Sequence, residues 1–443
     1  MIGEKEMEAI ARRALDAVAR EVKGAEAEVW VESSRSGNIR FAMDRILSCG
    51  DGSEEAISLS VALGRRHVDV STNQTDDASL AALAQRAAAM VRLAPEDPEA
   101  MPLLGPQRYL QVPGAYDEAF ATVSPESRAA TAQASLAAFR AAGVDGAGYF
   151  EHSAGRKLVA NSAGLAGRHR SSFGRISTTA RTKDGDGSGW GMCASHEARG
   201  IDASEATHAA IDRGLRSVRP RALPPGRYTV VLEPAAVDEL LWYLEEHLQA
   251  RAVDEGQSAL SKPGGASPLG DRIASDFVQL VSDPADPELP CAPFGYEGVA
   301  RKPLRWVDQG RLGALFYSRY WAEKQHKEAT SYGAWHLSGG KAASVDELVR
   351  GVDRGLLVTR FHYVVSLDPK QALVTGLTRD GVFLVERGEI VGPVNNFRFN
   401  ESPLGMLSRC DAMTSRTVRA SMTSRVPALR THDFHMASVS EAV

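Results

Sequence analysis

Cysteine is scarce in this sequence, with four in 443 residues at Cys49, Cys193, Cys291 and Cys410 and no CxxC pair among them. That spacing argues against a disulfide framework and a cysteine-rich zinc site, and it fits a reducing cytosol. Long apolar runs are missing too. No stretch approaches the ~18–20 residues that a membrane-spanning helix needs. The N-terminus is charged from Glu4 onward and has no apolar core, so no secretory signal is expected. Nor is there an excess of positive charge. Lys and Arg number 51 against 56 Asp and Glu, giving a formal net charge of −5 and a pI near 6.2. A nucleic-acid-binding domain more often has a basic patch and a pI above ~9. The expectation is a cytoplasmic protein with no membrane and no nucleic-acid contact.

Two catalytic signatures are also absent. There is no GxSxG elbow, and Gly185-Asp186-Gly187-Ser188-Gly189 lacks the lysine of a phosphate-binding loop. The glycine-rich segment reads as a flexible turn bordering a groove.

What is present belongs to a globular protein of more than one folding unit. A helix is predicted from Glu4 to Val22, with Ile10, Ala14, Val18 and Val22 on one face. Short strands follow at 27–32, 39–48, 56–63 and 67–72, separated by turn-rich 34–38 and 49–52. A second helix spans 79–92, with Asp76 and Asp77 at its start, where the macrodipole favours acidic groups. Proline-rich 94–106 reads as a linker. Ser124-Pro125-Glu126 starts a third helix, strands follow near 148–153, 157–160, 166–176 and 178–183, and another helix covers 203–216. Pro224-Pro225-Gly226 is the clearest joint, and the chain beyond it is strand-rich. The fold class is α+β: N-terminal α+β modules followed by a β-rich C-terminal domain carrying one core helix. The divisions fall at 1–105, 106–222 and 223–443.

The core helix sits just past the joint. Tyr228 to Leu232 reads as a buried strand, and Glu233-Pro234 ends it and opens a helix, since proline is tolerated at a first helical position. Val237, Leu240, Leu241, Leu244 and Leu248 form one apolar stripe. Tyr243 and His247 flank it, while Trp242, Glu245 and Glu246 point elsewhere.

This stretch resembles the core helix of the TldD/TldE (PmbA) family of metallopeptidase-related proteins. Tyr296-Glu297-Gly298-Val299, residues 354–361, residues 375–381 and Asn396-Phe397-Arg398-Phe399-Asn400 extend the resemblance, which covers nearly the whole chain. In the catalytic TldD branch it implies an HExxxH motif that binds zinc and supplies a general base. Here those positions read Trp242, Tyr243, Leu244, Glu245, Glu246, His247. An indole cannot coordinate zinc, a phenol stands where the glutamate would be, and one imidazole does not make a site that needs three protein ligands. Arg251-Ala252-Val253 and Gly256-Gln257-Ser258-Ala259-Leu260 resemble the TldE branch, which lacks the motif.

The family's third ligand is a cysteine near the C-terminus. Cys410 is the only candidate, lies early relative to Val426-Pro427, and reads as a small buried hydrophobe. His247 reads as a hydrogen-bonded boundary residue. No catalytic residue, metal ligand or cofactor is therefore assigned; Trp242, Tyr243 and His247 are degenerate motif positions, and zinc is expected only in a TldD-type partner. Trp242 and Tyr243 are expected to fill the space that metal and water occupy in the active relatives. Arg360, Arg379, Asp380 and Arg398 read first as ion-paired turn residues. Arg251, Ser258, Arg360, His362 and Arg379 are the candidates for facing a peptide.

The resemblance implies a non-catalytic subunit of a TldD-type zinc peptidase complex that degrades or trims unfolded peptides. Two alternatives stay open. One is a metallopeptidase in its own right with a non-standard metal site around His247, so whether the chain is an enzyme is undecided. The other is a stand-alone homodimeric peptide-binding protein.

Overall fold

The structure, a computed structural model, describes residues 1–440. Its α+β architecture matches the sequence reading. Six antiparallel strands form the first sheet, in the order Arg66–Thr72, Arg45–Leu63, Glu26–Ala42, Asp145–Asn161, Ala166–Arg181, Ser188–Ser195. Successive side chains of a strand point to opposite faces. In Glu26–Ala42, the residues Val29, Val31, Ile39 and Phe41 all point to one face and are fully buried there. Helices Glu4–Glu21 and Asp77–Leu93 cover one end of that face, and Pro125–Ala141 and Ala203–Arg216 the other. The even-numbered residues, Trp30, Ser36 and Asn38 among them, face the opposite way, toward the rest of the chain.

The helix starts follow their capping chemistry. Asp76 accepts from the Ser79 amide at 3.0 Å, and Ser124 from the Ser127 amide at 3.2 Å. The strands are longer than expected. Turn-rich 34–38 and 49–52 run straight through the sheet, with Gly37 opposite Asp51 on one side and His152 on the other. Ladder bonds on both flanks override the weak strand preference of Gly, Ser and Asn. Gly37 has a packing reason as well: a Cβ there would lie 2.2 Å from Nη1 of Arg128, a wholly buried guanidinium paired with Asp51 at 2.8 Å. The true hairpin turn falls at Met43 and Asp44, both left-handed, inside a segment expected to be strand. The sheet continues across residue 105 without a break, so the two α+β stretches share it.

Beyond the joint, five strands close on themselves: Arg354–Asp368, Gly226–Leu232, Leu429–Ser440, Asn396–Glu401 and Leu373–Glu386, the last pairing back to the first. Phe361, Phe399 and Phe434 pack together in the core, with centroids 4.3–5.7 Å apart. A further six-stranded sheet, ending in Ser424–Val426 and Val418–Arg419, lies beside this ring.

The core helix leaves the ring at Glu233, whose amide bonds to the Val358 carbonyl at 3.0 Å. All five stripe residues are buried. The helix is not continuous, however: Pro234–Leu241, Leu244–His247 and Ala250–Asp254 are separate turns. Around Leu248 and Ala250 the backbone exchanges helical bonds for two bonds to Phe316, 2.7 and 2.8 Å long.

The glycine-rich 185–189 segment divides in two. Gly185 sits in the turn with φ +77°, while Ser188 and Gly189 begin a strand. A Cβ on Gly189 would lie 2.2 Å from both the Ala210 carbonyl oxygen and the Gly214 amide, because helix Ala203–Arg216 packs directly onto this backbone. Gly189→Ala is therefore expected to destabilise the protein by ~1–3 kcal/mol. Thermal denaturation checks it, and an unchanged melting temperature would show that the helix can yield.

Candidate functional site

The outward face of the first sheet and the core helix enclose a cleft of about 560 Å³. Ser36, Gly37, Asn38, Glu151, His152 and Arg175 form its sheet wall. Asp238, Glu239 and Trp242 form its helix wall, and Ser421-Met422-Thr423 closes one side. Charges on the sheet wall are matched, since Arg175 lies 2.6 Å from Glu151. On the helix wall, Ser424 donates to Asp238. Burial raises the Asp238 and Glu239 carboxyls above the usual carboxylate range, and Asp238 pushes Glu239 further the same way.

The three degenerate motif positions do not converge. Trp242 is 67 % exposed on the cleft rim. The indole borders the cleft's open space, on the helix face turned to the sheet. Tyr243 is half-buried, and its hydroxyl donates to the Val364 carbonyl. His247 is only 3 % exposed, so the ring flanking the stripe is itself buried. Among the described residues no group of three His, Cys, Asp or Glu side chains is placed to hold a metal ion. Burial lifts the Cys410 thiol to about 12, and its sulfur points to the Ala412 carbonyl 3.5 Å away. The residues present do not fit a zinc site, and no catalytic step is derived through one.

The five peptide-facing candidates lie elsewhere, and none lines this cleft. Arg251 pairs with Glu99 at 2.8 Å and Glu255 at 3.0 Å. Buried Ser258 donates to the His247 carbonyl at 2.9 Å. Arg360 lies 2.9 Å from Asp380 and stacks over Trp190, and Arg379 approaches the same carboxylate at 3.9 Å. His362 packs against Tyr363. Sequence reasoning missed Asp238, Glu239 and the sheet wall. The helix residues were findable, since Glu239 and Trp242 are one turn apart on a face without stripe residues. The sheet wall was not, because its residues come from strands more than a hundred positions apart.

A second cleft of about 530 Å³ adjoins the start of the core helix. Ser188–Ser195, the last strand of the first sheet, and Val418–Arg419, the last of the second, both border it. Arg419 reaches across to His196 at 2.9 Å.

Three family profiles match the sequence: PmbA/TldA metallopeptidase domain 1 over residues 27–91, its central domain over 118–217 and its C-terminal domain over 225–438. The chain belongs to the TldD/TldE (PmbA) family. Solved structures share the fold of this TldD/TldE member. TldE from Thermococcus kodakarensis superposes with a TM-score of 0.86 at 17% identity, over 98% of this chain and 100% of that one. A proposed modulator of DNA gyrase from Bacteroides thetaiotaomicron gives 0.85 at 22%, over 98% and 99%. Another from Thermotoga maritima gives 0.85 at 17%, over 97% and 99%. No curated protein matches the sequence.

Two outcomes follow from the burial of Cys410 and His247. At pH 8 native protein is expected to alkylate at exposed Cys49 and to spare Cys410 until denatured, which peptide mass spectrometry reads. Burial also lowers the His247 pKa, against a smaller opposing effect of Glu246. The ring binds a proton more readily unfolded than folded, so its contribution is complete above about pH 6.5 and is lost as pH falls further. His247→Gln is therefore expected to lose less stability than wild type between about pH 6.5 and pH 5 in urea unfolding.

Proposed function

We propose that this chain is the non-catalytic, TldE-like subunit of a cytoplasmic TldD-type zinc peptidase complex, and that its clefts hold extended peptide while the partner cleaves it. The observation carrying this reading is the cleft-facing motif position: it is an indole, and among the described residues no metal-ligand set stands beside it. A subunit without metal still supplies walls and strand edges. The second cleft is bordered by two edge strands, and such edges accept an extended peptide by main-chain hydrogen bonding.

The hairpin formed by Arg354–Asp368 and Leu373–Glu386 favours association of some kind. Near its tip Tyr363, Val365 and Leu367 are each at least half exposed, with a β-bulge beside Tyr363. An apolar group of this kind fits a subunit contact. The same group serves a homodimer, and sedimentation of the purified chain, alone and with an HExxxH-bearing relative, separates the two assemblies.

The functional test combines metal analysis with a casein-type cleavage assay. The chain alone is expected to carry no stoichiometric zinc and to cleave nothing, and its addition is expected to raise cleavage by the HExxxH relative. Stoichiometric zinc and cleavage by the chain alone, both abolished in His247→Ala, would replace this reading with a metallopeptidase.

A further inference from the structure

We propose that the cleft beside the core helix selects a cationic side chain, lysine or arginine, of the bound peptide, held between the Glu239 carboxylate and the Trp242 indole. The proposal rests on the peptide-holding reading above and adds the chemistry of what is held.

Glu239 and Trp242 lie three apart on one helical face, where side chains are neighbours, and both open onto the cleft. The other charged groups lining the cleft are committed. Glu151 faces Arg175 at 2.6 Å, and Asp238 accepts the Ser424 hydroxyl. His152 takes a contact from the buried Arg128 guanidinium at 3.0 Å. Among the described residues Glu239 has neither hydrogen bond nor ion pair, and the lining carries three carboxylates against one arginine. Arg360, whose charge reaches Glu239, is itself tied to Asp380 and stacks on Trp190.

A carboxylate in this position is short of a cation. Glu239 is exposed to the cleft, its charge opposed by partial desolvation and by the neighbouring Asp238 and favoured by Arg360, and a bound cation would add to the favourable side. The indole adds selectivity. Tryptophan offers the strongest aromatic face for an ammonium or guanidinium group, and a partly enclosed cleft strengthens the attraction. The alkyl stem of a lysine or arginine would lie along Met422, which is exposed on the cleft's closing loop. A bystander surface glutamate would do none of this, and the two roles separate experimentally.

The test measures fluorescence anisotropy of uncharged, acetylated and amidated decapeptides carrying a neutral dye and one guest residue: lysine, norleucine or glutamate. Full-length protein is compared with Glu239→Gln and Trp242→Leu, and a melting curve confirms that each variant is folded. Lysine is expected to bind about tenfold tighter than norleucine, with glutamate weakest. Glu239→Gln is expected to bring lysine down to the norleucine level while leaving norleucine unchanged, and Trp242→Leu to weaken lysine severalfold. If peptides bind but lysine has no advantage, or keeps it in Glu239→Gln, the cation proposal fails and the peptide-holding reading stands. If no guest peptide binds at all, the peptide-holding reading fails and takes the proposal with it.

Discussion

The cleft exists because two separately built units are held at a fixed spacing, and a small polar network does the holding. Ser188, on the edge strand of the first sheet, donates to Asp380 in the strand ring. Asp380 is almost wholly buried, sits at φ +57° and also faces Arg360, which stacks on Trp190 of the same edge strand. One helix away, Arg213 donates to the Trp190 carbonyl at 2.6 Å and pairs with Glu233, the residue that opens the core helix. Buried ion pairs of this kind add little net stability over apolar packing, yet losing one partner costs ~3–5 kcal/mol because the other is left uncompensated. Their effect here is on register. They fix where Glu233 stands, and so where Glu239 and Trp242, two turns further on, face the sheet.

That arrangement also sets what the degenerate motif positions can do. A ligand set works only if its members converge, and convergence requires a continuous helix presenting them to one point. In this chain the helix is interrupted after Leu241, Tyr243 is bonded to the strand ring, and His247 is buried. Restoring a single histidine at 242 would leave one imidazole facing a cleft and the other turned into the core.

Much of this could be read from residue patterns. Helix starts followed capping chemistry at Asp76 and Ser124, the stripe from Val237 to Leu248 identified the core helix, and Pro224-Pro225-Gly226 marked where the strand ring begins. Reading failed where local preference and long-range pairing disagree. Ser34–Asn38 and Cys49–Gly52 look like turns, yet partners on both sides draw them into strands, and the real turn uses Met43 and Asp44 in left-handed conformations that neither residue advertises. The cleft was half legible. Glu239 and Trp242 share a helix face in plain sequence, whereas Asn38, Glu151 and Arg175 meet only because three strands pair in register.

The same distinction bears on how a binding surface can outlast a catalytic one. A zinc site depends on several ligands at once, and losing any one of them abolishes the metal. A groove wall is built from backbone spacing and side chains that act almost independently, so it degrades gradually. Once convergence is lost, a side chain at the rim is constrained only by contact with whatever enters the cleft. On the reading proposed above, an indole beside a carboxylate with no ion pair of its own makes a pair with its own recognition chemistry, and the helix has only to keep one face turned to the sheet.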